Sequence, residues 1–245
     1  MSEMRIPGVT IPINYIPCNP GNYGGYRPLS AIRYIVIHYT ANDWDSDTSN
    51  GNYFKNNVVK ASANYFVDDD SITISVPDEI YAWHCGGGLQ GAGGHSFYKV
   101  CNNWNSIGIE ICDNTKDGRV MPTQRALANA QMLTAALMKK YNVSIENVIR
   151  HWDVTGKVCP AYFVGDEKTE TGRAWLAWKD ELEEMTMTRY QTLAEVPASI
   201  RPEIKELIDK GIIKGNGDKG LDMTYDMLRS AVFTLRAIKS YTGKA

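Results

Sequence analysis

The residues of this chain best suited to holding a metal or attacking a substrate are its four histidines and five cysteines. His38 closes the apolar run Arg33-Tyr34-Ile35-Val36-Ile37-His38-Tyr39-Thr40, and a histidine there is either a satisfied structural residue or a ligand. In His151-Trp152-Asp153-Val154-Thr155-Gly156-Lys157-Val158-Cys159-Pro160 a glycine turn separates a histidine from a cysteine and can bend both toward one point. Imidazole nitrogen and thiolate both suit Zn²⁺, and a catalytic zinc keeps three protein ligands and one open position. The spacing alone is not a compact metal motif, so a structural reading stays open beside the metal one. Cys18, Cys85, Cys101, Cys112 and Cys159 are odd in number and contain no Cys-x-x-Cys pair, which argues against a disulfide scaffold. Cys85, Cys101 and Cys112 read as small buried fillers.

The elements that must position these residues are legible in the pattern. Residues 33–40 form a β-branched run typical of a buried strand. Ala63-Asn64-Tyr65-Phe66-Val67 and Ser71-Ile72-Thr73-Ile74-Ser75-Val76, joined by three aspartates, predict a hairpin, and Asn105 to Ile111 a further strand. Residues 1–30 read as an extended wrap, residues 42–52 as a polar loop, and residues 86–94, with six glycines, as a mobile or tightly turning loop. From Thr123, a plausible N-cap, the residues Ala126, Ala130, Leu133 and Leu137 fall at helical spacing. A short strand or turn at 147–151 follows, then a helix over 170–185 carrying Trp175, Trp178 and Leu182 on one side. Beyond Met187 there is no Cys, His or Trp, and two helices are predicted, at about 200–210 and 224–240. The expected architecture is α/β, a mixed central sheet flanked by helices, over residues 1–186. A small helical domain, too short to build much of a core alone, is expected over 187–245.

Composition narrows the class. With 245 residues, 43% apolar and 22% charged, the chain is an ordinary globular one and not a disordered or fibrous one. A net charge of −2 gives no basic footprint for nucleic acid. No run approaches the roughly 20 apolar residues that cross a bilayer. The start, Met1-Ser2-Glu3-Met4-Arg5-Ile6-Pro7, lacks a basic region followed by an apolar core, so no Sec-type signal peptide and no membrane insertion are expected.

Four stretches occur in a telling order: Ile35-Val36-Ile37-His38-Tyr39-Thr40-Ala41, Trp83-His84-Cys85-Gly86, Asn105-Ser106-Ile107-Gly108-Ile109-Glu110 and His151 to Pro160. Together they resemble the type-2 N-acetylmuramoyl-L-alanine amidase family, which includes T7 lysozyme, cell-wall amidases and peptidoglycan recognition proteins. The resemblance covers about residues 30–165, in the style of phage or prophage endolysins of Gram-positive bacteria. It implies that His38, His151 and Cys159 hold Zn²⁺, that Glu110 handles the proton of the attacking water, and that Lys157 stabilises the oxyanion. Taken singly, Glu110 reads as an exposed strand-end carboxylate and Lys157 as a solvated loop charge. The cysteine at the third ligand position marks a catalytic member of the family, since recognition proteins that only bind often lack it. Peptidoglycan is the implied partner and substrate, reached after synthesis in the bacterial host cytoplasm and release to the wall.

One departure stands out: many relatives carry a histidine where this chain has Asn64, so Asn64 is assigned to substrate contact at most. Trp83 and His84 are placed beside the cleft as substrate contacts, and for His84 a role supporting the ligands and a purely structural one stay open as well. Trp83, Trp104 and Trp152 are expected to line a polar groove. The segment from Ile204 to Asp218 followed by Met227-Leu228-Arg229 resembles an S-layer-homology unit, which implies wall attachment; the plainer reading is a two-helix appendage that packs on the catalytic domain or mediates a homo-oligomer. Two rival functions remain, a non-catalytic peptidoglycan-binding module and a zinc amidohydrolase acting on a soluble peptide or muropeptide.

Overall fold

A computed structural model of the chain describes residues 5–215 and 220–242. The start Met1 to Met4 and the turn residues Asn216, Gly217 and Asp218 of the C-terminal segment lie outside the described residues. The chain divides into two compact units, Met1–Thr186 and Met187–Ala245.

In the first unit the elements run β1 (Ile13–Tyr15), β2 (Tyr23–Tyr26), β3 (Tyr34–Tyr39), α1 (Asp47–Asn56), β4 (Tyr65–Val67), β5 (Ile72–Ile74), β6 (Ile80–Ala82), β7 (Ser106–Ile111), α2 (Gln124–Tyr141), β8 (Val148–Arg150), α3 (His151–Thr155) and α4 (Glu170–Thr186). Six strands form one mixed sheet in the order β1-β5-β4-β7-β3-β8, while β2 and β6 pair separately. Within the six-stranded sheet β4 and β5 are the antiparallel pair, and they form the hairpin expected from sequence. The fold class is the predicted one, a mixed sheet flanked by helices.

The alternation of side chains along a strand divides the sheet into two faces with different tasks. Ile35 and Ile37 of β3 and Ile107, Ile109 and Ile111 of β7 join one core with Ala126, Ala130, Leu133 and Leu137 of α2 and Trp175, Trp178 and Leu182 of α4. The intervening residues turn to the opposite face, where Val36 packs with Cys85, Cys101, Ile149 and Val154. β3 and β7 are parallel and in register, Val36 opposite Gly108 and His38 opposite Glu110. Thr123 caps α2 as expected, its Oγ1 accepting the Ala126 amide at 3.1 Å.

Three segments depart from the sequence reading. Residues 42–52 are not all loop, because α1 begins at Asp47 behind a Ser46–Ser49 capping box. α1 has little apolar periodicity and is propped from below: Asp47 Oδ2 accepts from Ser71 Oγ at 2.9 Å and Thr73 Oγ1 at 2.7 Å. The N-terminal wrap supplies an edge strand, β1, whose parallel pairing with β5 carries no local sequence signature. Finally, His151 opens a short helix and does not end a strand. The glycine-rich loop is the tight alternative of the two expected, since Gln90 N donates to Thr155 O at 2.7 Å and His95 N to Trp152 O at 2.9 Å.

The second unit contains β9 (Arg189–Tyr190), α5 (Arg201–Asp209), β10 (Met223–Thr224) and α6 (Tyr225–Thr242). The two helices were expected; the two-residue antiparallel ribbon of β9 and β10 is too short to leave a periodic trace. Contrary to the expectation of little core, it has an apolar cluster of its own, including Val196, Ile204, Leu207, Leu228 and Val232. Among the described residues no helix is long and apolar enough to cross a membrane.

Candidate metal centre and groove

The face of the sheet turned away from α2 and α4 gathers the predicted chemistry. His38 sits near the C-terminal end of β3, and its register partner Glu110 occupies the same level of β7. His151 follows the last residue of β8, a strand paired to the other side of β3. Cys159 is brought back by a short turn in which Trp152 N donates to Cys159 O at 3.0 Å. The ligand atoms of His38, His151 and Cys159 all lie within 4.8 Å of one another, and all three residues are buried. His38 Nδ1 is 3.7 Å from Cys159 Sγ and 3.9 Å from Glu110 Oε1.

The donor set fits a soft or borderline cation. Both ring nitrogens of His151 are buried without any hydrogen-bond partner, an arrangement that is costly unless something else occupies their lone pair. Burial, then the neighbouring His151, His84 and Lys157, holds His38 well below the usual histidine range, so it is neutral at pH 7. Burial and then Lys157 and His84 bring His151 down to about 3. Neutral imidazole is the ligating form. Burial first, and the charge of Glu110 second, push the Cys159 thiol up to about 12, so a metal cation is what would turn it into a thiolate ligand.

Glu110 has a fifth of its side chain open to solvent, yet its Oε2 is buried and unpartnered. Desolvation pushes its carboxyl up to about 8, against the opposing pull of Lys157 and with a smaller contribution from Asp45. Glu110 and the exposed Lys157 both line a groove of about 630 Å³ walled by Tyr39, Asn50, Tyr53 and Phe66. Two of those walls, Asn50 and Tyr53, lie on α1, and Asn50 escaped the sequence reading because residues 42–52 looked like loop. Trp83, Trp104 and Trp152 are not among the residues lining the groove. Trp152 lies under the Arg150 guanidinium at 4.5 Å, a structural position.

Asn64 also departs from its expected place. It is wholly buried, its Nδ2 donating to Val76 O at 3.1 Å and its Oδ1 accepting from Gly108 N at 3.0 Å. Its carboxamide is spent joining strands and offers nothing to a substrate. His84 is half-buried and touches a ligand: its Nδ1 is 3.0 Å from His38 Nε2, and its Nε2 is 3.1 Å from Ser106 Oγ. Ser106 was not singled out from sequence, although its place two residues before Gly108 puts it on the same strand face as Glu110.

Residues 28–162 match the family model described as N-acetylmuramoyl-L-alanine amidase. CwlH of Bacillus subtilis (strain 168), named an N-acetylmuramoyl-L-alanine amidase, is 36% identical over 154 residues, covering 62% of this chain and 56% of that protein. A probable N-acetylmuramoyl-L-alanine amidase of Bacillus licheniformis is 34% identical over 157 residues, covering 62% of this chain and 43% of its own. The chain thus spans about half the length of these relatives. The solved catalytic domain of XlyA superposes with a TM-score of 0.55 at 29% identity, covering 70% of this chain and 99% of that domain.

Proposed function

Because this chain belongs to the N-acetylmuramoyl-L-alanine amidase family, we propose that it hydrolyses the amide between the lactyl group of N-acetylmuramic acid and L-alanine in peptidoglycan, as an endolysin does. The observation that carries the reading is the convergence of His38, His151 and Cys159 beside Glu110, a residue that lines an open groove. His38, His151 and Cys159 would hold zinc, which when bound supplies a Lewis acid and brings the pKa of water down to about 7. A cation held beside it would favour the carboxylate form of Glu110, which then takes the proton of the attacking water and returns it to the leaving amine of L-alanine. The side chain is partly open to the groove and stands beside His38, which brings it within reach of that water. Lys157 faces the same groove and stabilises the negative charge that develops on the carbonyl oxygen, an effect worth about 3–4 kcal/mol for one donor in other hydrolases. Tyr39 and Tyr53 offer amphipathic walls to a glycopeptide.

For residues 187–245 the reading is attachment to the wall, supported by the two helices α5 and α6 that the S-layer-like pattern requires. The deciding experiment is digestion of purified peptidoglycan with and without a zinc chelator, followed by mass spectrometry. Stem peptides bearing a new free N-terminal L-alanine, formed only with metal, are expected. New amines that persist under chelation, or none at all, would replace the reading by another hydrolase or by a binding module.

A further inference from the structure

The hydrogen bonds behind His38 have a direction that can be worked out from their far end. Ser106 Oγ lies 2.6 Å from the backbone carbonyl of Asn102, and a carbonyl can only accept, so the Ser106 proton is committed there. Ser106 Oγ therefore accepts from its other neighbours, and His84 Nε2, 3.1 Å away, must be the protonated nitrogen of that ring. In the neutral ring His84 Nδ1 is then an acceptor, and the proton that fills its 3.0 Å contact with His38 belongs to His38 Nε2. A neutral His38 carrying its proton on Nε2 leaves the lone pair on Nδ1, the nitrogen that faces Cys159 Sγ and Glu110 Oε1.

We propose that His84 is a positioning residue: through Ser106 and the Asn102 carbonyl it fixes His38 in the Nε2-protonated form and aims the Nδ1 lone pair into the Cys159–His151 cluster. This rests on the metal reading of that cluster given above. The relay is rigidly mounted. His84 N donates to Asn103 Oδ1 at 3.0 Å, and the next residue, Cys85, donates its amide to the same oxygen at 2.9 Å. The imidazole lies against bare backbone at Gly108, where a Cβ would fall 2.6 Å from His84 Cγ and 2.8 Å from Nδ1. Gly108 is in turn held by Asn64, which accounts for an asparagine at that buried site. A ligand histidine whose second nitrogen is held in this way keeps one tautomer and one ring orientation, and loss of such a partner costs about ten- to a hundredfold in metal affinity.

The test uses the full-length chain labelled with ¹⁵N at histidine. In metal-free protein at neutral pH, two-bond ¹H–¹⁵N correlations should show His38 as the Nε2-protonated tautomer. His84→Phe should mix the two tautomers and weaken zinc binding about tenfold or more, read by competition with a chromophoric chelator. His84→Asn, whose Oδ1 takes the place of Nδ1 and still accepts, should recover the single tautomer and most of the affinity. An Nδ1-protonated His38 in the unsubstituted chain overturns the proposal, as does a His84→Phe protein with wild-type tautomer and zinc affinity. If the unsubstituted chain binds no zinc, the metal reading of the cluster fails, while the tautomer spectra still decide whether His84 orients His38.

Discussion

Gly94 lies flush against Trp152: a Cβ at Gly94 would stand 2.3 Å from the Trp152 carbonyl oxygen and 2.7 Å from indole Cδ2. Gly94 also has φ near +75°, which L side chains rarely adopt. The contact belongs to the seam that staples the glycine-rich loop onto α3, between the two C-terminal ligands. Gly94→Ala is expected to cost more than about 2 kcal/mol, since backbone and not a flexible side chain blocks the methyl. Denaturant unfolding followed by tryptophan fluorescence checks this; a change within experimental error would mean the loop is not seated there.

Arg150 and Asp153 form the second anchor of the ligand turn. Nε and Nη2 of the buried Arg150 reach the two oxygens of Asp153 at 2.9 and 2.7 Å, and the Arg150 amide donates to Oδ2 at 2.8 Å. Asp153→Ala strands a buried guanidinium and is expected to destabilise the protein by about 3–5 kcal/mol. A melting temperature equal to wild type would rule this out.

Glu110→Gln keeps the shape of the groove and removes the proton acceptor. Zinc binding should stay near stoichiometric, while kcat falls by about a hundredfold or more, the usual worth of a positioned acid–base group. Lys157→Ala should likewise spare the metal and lower kcat with little change in KM. Parallel losses of metal and activity in either variant would move that residue out of catalysis and into support of the ligands.

Asp47, the buried first residue of α1, gives the stability a defined pH dependence. Desolvation pushes its carboxyl up to about 6, with the Thr73 hydroxyl pulling down and the charge of Asp68 adding. The folded chain therefore holds this proton to higher pH than the unfolded chain does. Its contribution is most favourable below about pH 4 and is lost as pH rises through 6, by on the order of 3 kcal/mol. Asp47→Asn carries no such proton, so its stability should gain on wild type between about pH 4 and 7. Stability curves that stay parallel over that window would contradict the assignment.

All six tryptophans precede residue 187, so their fluorescence reports on the first unit alone while far-ultraviolet circular dichroism sees both. Ile204→Ala, at a fully buried position in the second core, is expected to cost that unit about 2–5 kcal/mol. The dichroism transition should move to lower denaturant with the fluorescence transition unchanged. A joint shift would show the two cores folding as one.

What could be read from sequence was whatever strand alternation or helical spacing carried. β3 and β7 announce themselves by β-branched runs, but that His38 and Glu110 stand opposite each other comes from the parallel pairing of the two strands, which their separate patterns do not encode. Thr123 and the alanine–leucine spacing announce α2. α1 stayed hidden because its stability comes from a capping box and from Asp47's contacts with distant Ser71 and Thr73, not from an apolar stripe. Asn64 looked like a substrate contact because it stands where many relatives carry a histidine; the bond to Gly108 that consumes it spans 44 positions. The link from Asn102 through Ser106 and His84 to His38 joins three segments of chain and has no one-dimensional signature.

His38 and Glu110 are opposite each other across two adjacent parallel strands, so backbone pairing and not loop length sets the distance between them. The loops within the connection from one strand to the other can lengthen or shorten without disturbing that spacing, so long as β4 stays paired to β7 and His84 stays against His38. A slip of a single residue between the strands, by contrast, would turn one of the pair toward α2 and α4. The histidine and the carboxylate are thus coupled through the sheet itself: any change that moves one strand moves both, whereas the loops between them carry no part of that spacing.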